Sequence, residues 1–130
     1  MNTTLFQVYI QNIQKNLAAG IASEHTHRSA LEELLEAAGQ DVTAINEPKH
    51  VACGAPDFIV TRQGTPLGYV ECKDVGRSLD EAEGSEQLAR YRASLSNLIL
   101  TDYVEFRWYV DGEHRRTVRL GNVTLEGKIR

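Results

Sequence analysis

The spacing of apolar residues changes at Val42, and this change constrains the fold more than any other feature of the chain. Before Val42, apolar residues recur every three or four positions, as they do on one face of an amphipathic helix. Two such stripes are present: Phe6, Tyr9, Ile10, Ile13 and Leu17, and then Leu31, Leu34, Leu35 and Ala38. They predict a first helix that ends near Gly20 and a second that begins between Ser23 and Arg28 and ends at Gly39.

After Val42 the apolar residues alternate or form short continuous runs, which is typical of β-strands. We predict strands at Val42–Asn46, 57–62, 67–73 and 98–100, a helix over 79–95, and a C-terminal hairpin that turns at Asp111-Gly112. This order of elements predicts a single α+β domain over residues 1–130, with helices flanking a central mixed sheet. A chain of 130 residues is long enough for one hydrophobic core and too short for two.

The composition narrows the class of protein further. With 42% hydrophobic and 25% charged residues, the chain has the balance of a globular domain. No apolar run approaches the ~18 residues of a membrane span, and Cys53 and Cys72 lack the Cys-x-x-Cys spacing of a zinc site. We therefore expect a soluble, cytoplasmic protein with no membrane partner. The net charge of −4 argues against a strongly basic nucleic-acid binder that acts alone.

The parity of the two predicted hairpins decides which side chains share a face of the sheet. An odd loop centred on Gly64 pairs Asp57 with Glu71, Ile59 with Tyr69 and Thr61 with Leu67. In the C-terminal hairpin, a three-residue loop over 110–112 with Gly112 in the left-handed position keeps Phe106, Trp108, Val118 and Leu120 on one face. We predict these two loops.

The first hairpin brings Asp57, Glu71 and Lys73 together, because residues two apart on a strand project from the same face. Two adjacent carboxylates repel each other unless a cation bridges them or one of them is protonated. Carboxylate oxygens without His or thiolate ligands suit Mg²⁺, and Mn²⁺ can substitute for it. Lys73 can then position or activate a metal-bound water, or neutralise charge that develops on a phosphate. The residues predict phosphodiester hydrolysis. We also expect Asp57→Ala to stabilise the metal-free protein, because it removes the repulsion between Asp57 and Glu71.

Pro56-Asp57 followed by Glu71-Cys72-Lys73, on the second and third strands, resembles the PD-(D/E)XK nuclease superfamily. The segments 23–26, 45–48, 54–58, 69–74 and 98–103 are similar to the amino-terminal nuclease domain of single-chain restriction-modification enzymes. The resemblance implies a restriction-endonuclease-like αβββαβ core, here with an extra N-terminal helix and a C-terminal β-hairpin. It also implies an endonuclease that cleaves double-stranded DNA in a prokaryotic cytoplasm. Its partners would be methyltransferase and target-recognition modules, in some relatives a translocase, and a second copy where both strands are cut.

The same resemblance adds further candidate site residues. Glu24, near the start of the second helix, would be a third acidic metal ligand, and the backbone carbonyl of Cys72 would also face the metal. Gln87 and Tyr91 lie four residues apart on one helical face and are similar to a Gln-x-x-x-Tyr motif of the superfamily. Gln87 would support the catalytic group, whereas Tyr91 would contact DNA or lie buried beside Leu88 and Leu95. Arg77 and Arg90 are candidates for contacts to phosphates.

Two other functions are compatible with these residues. A stand-alone junction resolvase of the same superfamily has a comparable length but needs a basic face and an apolar dimer patch. A catalytically silent nuclease-like fold could dock a protein or DNA, although Asp57, Glu71 and Lys73 are all present. We favour the cleavage domain of a larger restriction-modification enzyme, because the chain carries few of the basic residues that a free-standing nuclease needs to bind DNA.

Overall fold

The computed structural model describes residues 3–19, 24–46, 54–75 and 77–121. Four helices are present in these ranges: α1 (Thr3–Ala19), α2 (Glu24–Ala37), α3 (Leu79–Glu83) and α4 (Glu86–Ser94). Six strands form one sheet: β1 (Val42–Asn46), β2 (Phe58–Arg62), β3 (Thr65–Cys72), β4 (Asn97–Thr101), β5 (Glu105–Val110) and β6 (Glu113–Arg119). No helix in this part of the chain has the length and apolar character needed to cross a lipid bilayer.

The strands lie in the sheet in the order in which they occur along the chain. Neighbouring strands are antiparallel except β3 and β4, which are parallel. A parallel pair needs a crossover, and α3 and α4 provide it. The predicted order of strands, the extra helix before the core and the hairpin after it are confirmed, but two helices lie between β3 and β4 where the sequence predicts one.

Helices cover both faces of the sheet, and successive side chains of β3 therefore enter two different cores. Val70 and Cys72 pack towards α1 and α2, whereas Tyr69 packs towards α3 and α4. The first core contains mainly Tyr9, Ile13, Leu31, Leu34, Ala44, Phe58, Val70, Cys72, Tyr103 and Val104. The second contains Leu79, Ala82, Leu88, Tyr91, Leu95, Leu98, Leu100 and Tyr109. Glu71, between Val70 and Cys72, therefore faces the α4 side of the sheet.

An ion-pair network attaches α3 to this second face. Arg107 on β5 donates to Glu105 at 2.6 Å, to Asp80 at 2.8 Å and to Glu83 at 3.3 Å. The two arginines that bond Glu105, Arg107 and Arg119, lower the pKa of its buried carboxyl despite the opposing effect of burial. Because α4 follows α3 directly, this attachment also places α4 beside the end of β3.

The single helix predicted over 79–95 is wrong, because the structure divides it at Gly84-Ser85. Ser85 has an extended backbone, and its side chain accepts a hydrogen bond from the N–H of Leu88 at 3.2 Å. A serine in this role starts a new helix by satisfying one of the free N–H groups of the first turn. The apolar spacing continues across the break, so periodicity alone conceals it.

Both predicted hairpin loops are also wrong in length, for one shared reason. Arg62 pairs with Thr65 and Val110 pairs with Glu113, so each loop has two residues. Both loop residues have positive φ in each hairpin, the conformation whose twist suits paired strands. An extra residue in β3 then shifts the register, so that Thr61 pairs with Pro66 and not with Leu67. The predicted pairing of Ile59 with Tyr69 is confirmed beyond this bulge.

The second hairpin uses the same device. A register shift after Trp108 restores the pairing of Phe106 with Val118, so the predicted apolar face forms although the predicted loop does not. In both hairpins the two loop residues and the one extra residue of the bulge add up to three. They therefore give the same pairing of faces as the predicted odd loop would.

Candidate active site

Asp57 lies in a bend immediately before β2, at the end of the sheet where β3 ends. The pairing of Phe58 with Val70 places Asp57 and Glu71 beside each other at this edge. Oδ2 of Asp57 accepts a hydrogen bond from the backbone N–H of Cys72 at 2.7 Å. The pairing that the sequence predicts for the two acids therefore survives the change in the loop.

Arg28 on α2 binds the other oxygen of Asp57. Its guanidinium donates to Oδ1 of Asp57 at 2.6 Å and to Oδ1 of Asn46, the last residue of β1, at 3.3 Å. The side chains of Arg28 and Asp57 are only 14% and 17% exposed. An ion pair this close and this shielded is a stronger interaction than a typical surface pair.

Lys73 and Gln87 complete the cluster on the α4 side. Nζ of Lys73 donates to Oε2 of Glu71 and to Oε1 of Gln87, both at 3.3 Å. The backbone N–H of Lys73 donates to the carbonyl of Thr101 at 2.8 Å, which fixes this residue to the end of β4. An ammonium group has three N–H donors, and the described residues accept from two of them, which leaves one for a water or a phosphate oxygen.

The carboxyl group of Glu71 is buried and incompletely satisfied. Its Oε1 accepts no hydrogen bond from any group that the structure describes. Burial, the charge of Asp57 and a hydrogen bond between the two carboxyl groups raise the pKa of Glu71, Lys73 lowers it, and the net result is a pKa of about 7. A buried oxygen without a donor, next to a second carboxylate, is the environment that a divalent cation would stabilise. The residues present therefore fit a metal ion.

The remaining predicted ligands are only partly described. The backbone of Glu24 begins α2, one turn before Arg28, but its side chain lies outside the described atoms. The backbone of Cys72 adjoins Asp57, while its thiol lies in the first core, where burial raises the thiol pKa well above its usual range. Within the described ranges no three His, Cys, Asp or Glu side chains form a metal cluster. Glu24 and the Cys72 carbonyl stay predictions.

The candidate DNA contacts differ in accessibility. Arg77 and Arg90 are 48% and 52% exposed; Arg77 lies 4.0 Å from the carboxylate of Glu81, and Arg90 lies 3.5 Å from that of Glu86. Tyr91 is 1% exposed and packs under Gly54, so a direct contact of its ring with DNA is wrong. The other interpretation of Tyr91, a buried residue beside Leu88 and Leu95, is confirmed.

Arg28 and Asn46 are site residues that the sequence analysis missed. Arg28 precedes Leu31 and Leu35 by three and seven residues, so it lies on the apolar stripe of α2. A charged residue on a buried helical stripe needs a partner of opposite charge, and that signal could have identified it.

Chains of known structure match this chain, and one of them belongs to a protein–DNA complex. The chain is similar to a chain in the cryo-EM structure of a DrdV–DNA complex, with a TM-score of 0.76 and 23% sequence identity. The similarity covers 92% of this chain and 12% of that chain. No family model and no curated protein matches the sequence. The likeness shows the fold: the chain has the α+β, restriction-endonuclease-like architecture that the sequence predicts.

Proposed function

We propose that this chain is a metal-dependent endonuclease domain that hydrolyses phosphodiester bonds of double-stranded DNA. The observation that carries the proposal is the cluster of Asp57, Glu71, Lys73 and Gln87, with a buried carboxylate oxygen of Glu71 that no described donor satisfies. A purely structural ion pair would leave no such oxygen, because buried polar atoms are normally satisfied.

Each residue of the cluster has a distinct role in this proposal. Asp57 and Glu71 bind Mg²⁺ or Mn²⁺, with Glu24 and the Cys72 carbonyl as further ligands. The metal supplies a more acidic water and neutralises phosphate charge. Lys73 orients the attacking water or stabilises the phosphate through its remaining N–H donor. Gln87 holds the ammonium group of Lys73 in place.

DNA is the substrate we favour because the similar solved structure is a complex with DNA. That protein is also much longer, since this chain spans 12% of it. We therefore infer that the domain acts as the cleavage module of a restriction-modification enzyme, whose other modules find and read the target. Arg77 and Arg90, which are about half exposed, would contact phosphates. Dimerisation of two such domains would allow both strands to be cut.

The test is nicking of supercoiled plasmid by the purified domain with Mn²⁺ at high protein concentration. Three proteins are compared: the parent, Lys73→Ala, and Lys15→Ala, which removes an exposed lysine on α1. Loss of cleavage in Lys73→Ala alone would support the proposed site. Equal cleavage by all three proteins would show that the activity arises elsewhere.

If none of the three cuts, the domain is fused to a foreign DNA-binding domain and assayed again. Cleavage by the parent fusion but not by the Lys73→Ala fusion would support a module that depends on its partners for DNA affinity. Continued absence of cleavage would favour the docking function.

A further inference from the structure

The Arg28–Asp57 ion pair is placed where a divalent cation would have to bind. Arg28 donates to Oδ1 of Asp57 at 2.6 Å, and the Cys72 N–H donates to Oδ2 at 2.7 Å. Both carboxylate oxygens therefore already accept a strong hydrogen bond. A cation that approaches Asp57 meets a guanidinium group that is bound to the same carboxylate.

Each acid of the described cluster has a basic partner in the absence of metal. Asp57 pairs with Arg28, and Glu71 pairs with Lys73 at 3.3 Å. A divalent cation adds two positive charges to two acids and two bases that are all shielded from solvent. The repulsion between Arg28 and the metal is large at such distances, because water screens it only weakly.

We propose that Arg28 is an internal competitor of the divalent cation: it holds Asp57 in position while the site is empty and keeps the metal affinity low. This inference rests on the proposed function, since it concerns the same metal site. Asn46 supports the arrangement by accepting from the other terminal nitrogen of Arg28. Asp57 is also held by the Cys72 N–H, so it keeps its place when Arg28 is removed.

The test is the dissociation constant for Mn²⁺, measured by titration calorimetry on the DNA-free domain. Arg28→Met removes the charge and keeps the length of the side chain, so we expect Mn²⁺ to bind about tenfold more tightly. Arg28→Gln is also neutral and can still donate to Asp57, so it should tighten binding too and serves if Arg28→Met does not fold. Arg28→Lys keeps the charge and should bind Mn²⁺ as the parent does.

A matched control uses an arginine at the opposite end of the sheet. Arg92 on α4 is partly buried and donates to the carbonyl of Gly112 at 2.8 Å and 3.0 Å. Arg92→Met should leave the Mn²⁺ affinity unchanged. A double-mutant cycle tests whether the gain depends on Asp57: Arg28→Met should tighten Mn²⁺ binding in the parent but not in the Asp57→Asn background, relative to Asp57→Asn alone.

The outcomes separate this inference from the proposed function. If the parent binds Mn²⁺ and the neutral variants bind it equally or more weakly, Arg28 only positions Asp57 and the inference is overturned alone. If the parent and all variants bind no Mn²⁺ at millimolar concentration, the metal-dependent function and the inference both fail. Tighter binding by the neutral variants, with Arg28→Lys and Arg92→Met unchanged, supports it.

Discussion

Asp57 accepts a hydrogen bond from the backbone N–H of Cys72, and this bond ties the residue before β2 to the end of β3. The second oxygen of the same carboxylate binds Arg28 on α2. One side chain thus links a strand, a neighbouring strand and a helix at the edge of the sheet. Asp57 is therefore a structural residue of the metal-free protein, whatever it binds.

The first prediction concerns the stability of Asp57→Ala. Repulsion between adjacent carboxylates would by itself make this variant more stable, but the structure argues for the reverse. Removing the carboxylate leaves the Arg28 guanidinium and the Cys72 N–H without this acceptor in a shielded place. We expect the free energy of unfolding of the metal-free protein to fall by about 2–4 kcal/mol.

Urea unfolding in a chelating buffer measures this effect. Asp57→Asn is the matched variant, because its amide oxygen still accepts one hydrogen bond and it should lose less stability than Asp57→Ala. If Asp57→Ala is as stable as the parent, the two hydrogen bonds of Asp57 contribute little and the repulsion dominates.

The second prediction concerns the pH dependence of stability, which Glu71 should control. Its pKa in the folded protein is about 7, above the ordinary value of 4.5. The folded protein therefore holds a proton that the unfolded chain has released between these two pH values. The resulting stabilisation is complete below pH 4.5 and is lost as the pH rises through 7.

Glu71→Gln should remove this dependence, because an amide resembles the protonated acid at every pH. In the absence of metal, we expect Glu71→Gln to match the parent near pH 4 and to exceed it by about 3 kcal/mol at pH 8. Glu81→Gln, at a side chain that is 75% exposed, is the control and should follow the parent throughout. A constant difference between Glu71→Gln and the parent across this range would contradict the raised pKa.

The proximity of Asp57, Glu71 and Lys73 was predictable because it depends on the alternation of side chains along the paired strands. Asp57, Glu71 and Lys73 lie at one edge of the sheet because alternate residues of a strand project from the same face. The loop between β2 and β3 has two residues and not the predicted odd number, and the bulge in β3 compensates for the difference. Apolar side chains of the two strands must lie on the same face of the sheet. A longer loop, or a tight turn combined with a bulge, satisfies this requirement equally well.

The parts that escaped prediction depend on interactions between distant segments. Arg28 meets Asp57 across 29 residues, and only the packing of α2 on the sheet brings them together. Ser85 starts a new helix inside an apolar pattern that continues on both sides. The spacing of apolar residues indicates which face is buried, but it indicates neither the partner of a buried charge nor the point where one helix ends and another begins.

The third prediction concerns Gln87 as a positioning residue for Lys73. Gln87→Ala removes one of the two described acceptors of the ammonium group, so Lys73 becomes less well oriented. We expect the rate of plasmid cleavage to fall about tenfold, the effect of one hydrogen bond to a charged group, while the Mn²⁺ affinity stays unchanged. Ser94→Ala, at an exposed position on the same helix, is the control and should change neither quantity. An equal loss of metal affinity would place Gln87 among the metal-binding groups instead.

The last prediction concerns Gly54, three residues before Asp57. Its φ of +131° is accessible to glycine and strained for other residues, and a Cβ there would lie 3.2 Å from Cε1 of Tyr91. The Tyr91 ring is fully buried, so we expect the loop that carries Asp57 to shift and not the ring. We expect Gly54→Ala to reduce the free energy of unfolding by about 2 kcal/mol and to impair Mn²⁺ binding.

Gly84→Ala is the matched control for this substitution. Gly84 has a φ of −81°, and a Cβ there would come no closer than 3.7 Å to the nearest backbone oxygens. This variant should be as stable as the parent or slightly more stable, because alanine restricts the unfolded chain. Urea unfolding and Mn²⁺ titration of both variants decide the question. If Gly54→Ala behaves as Gly84→Ala does, the contact between Gly54 and Tyr91 does not position Asp57.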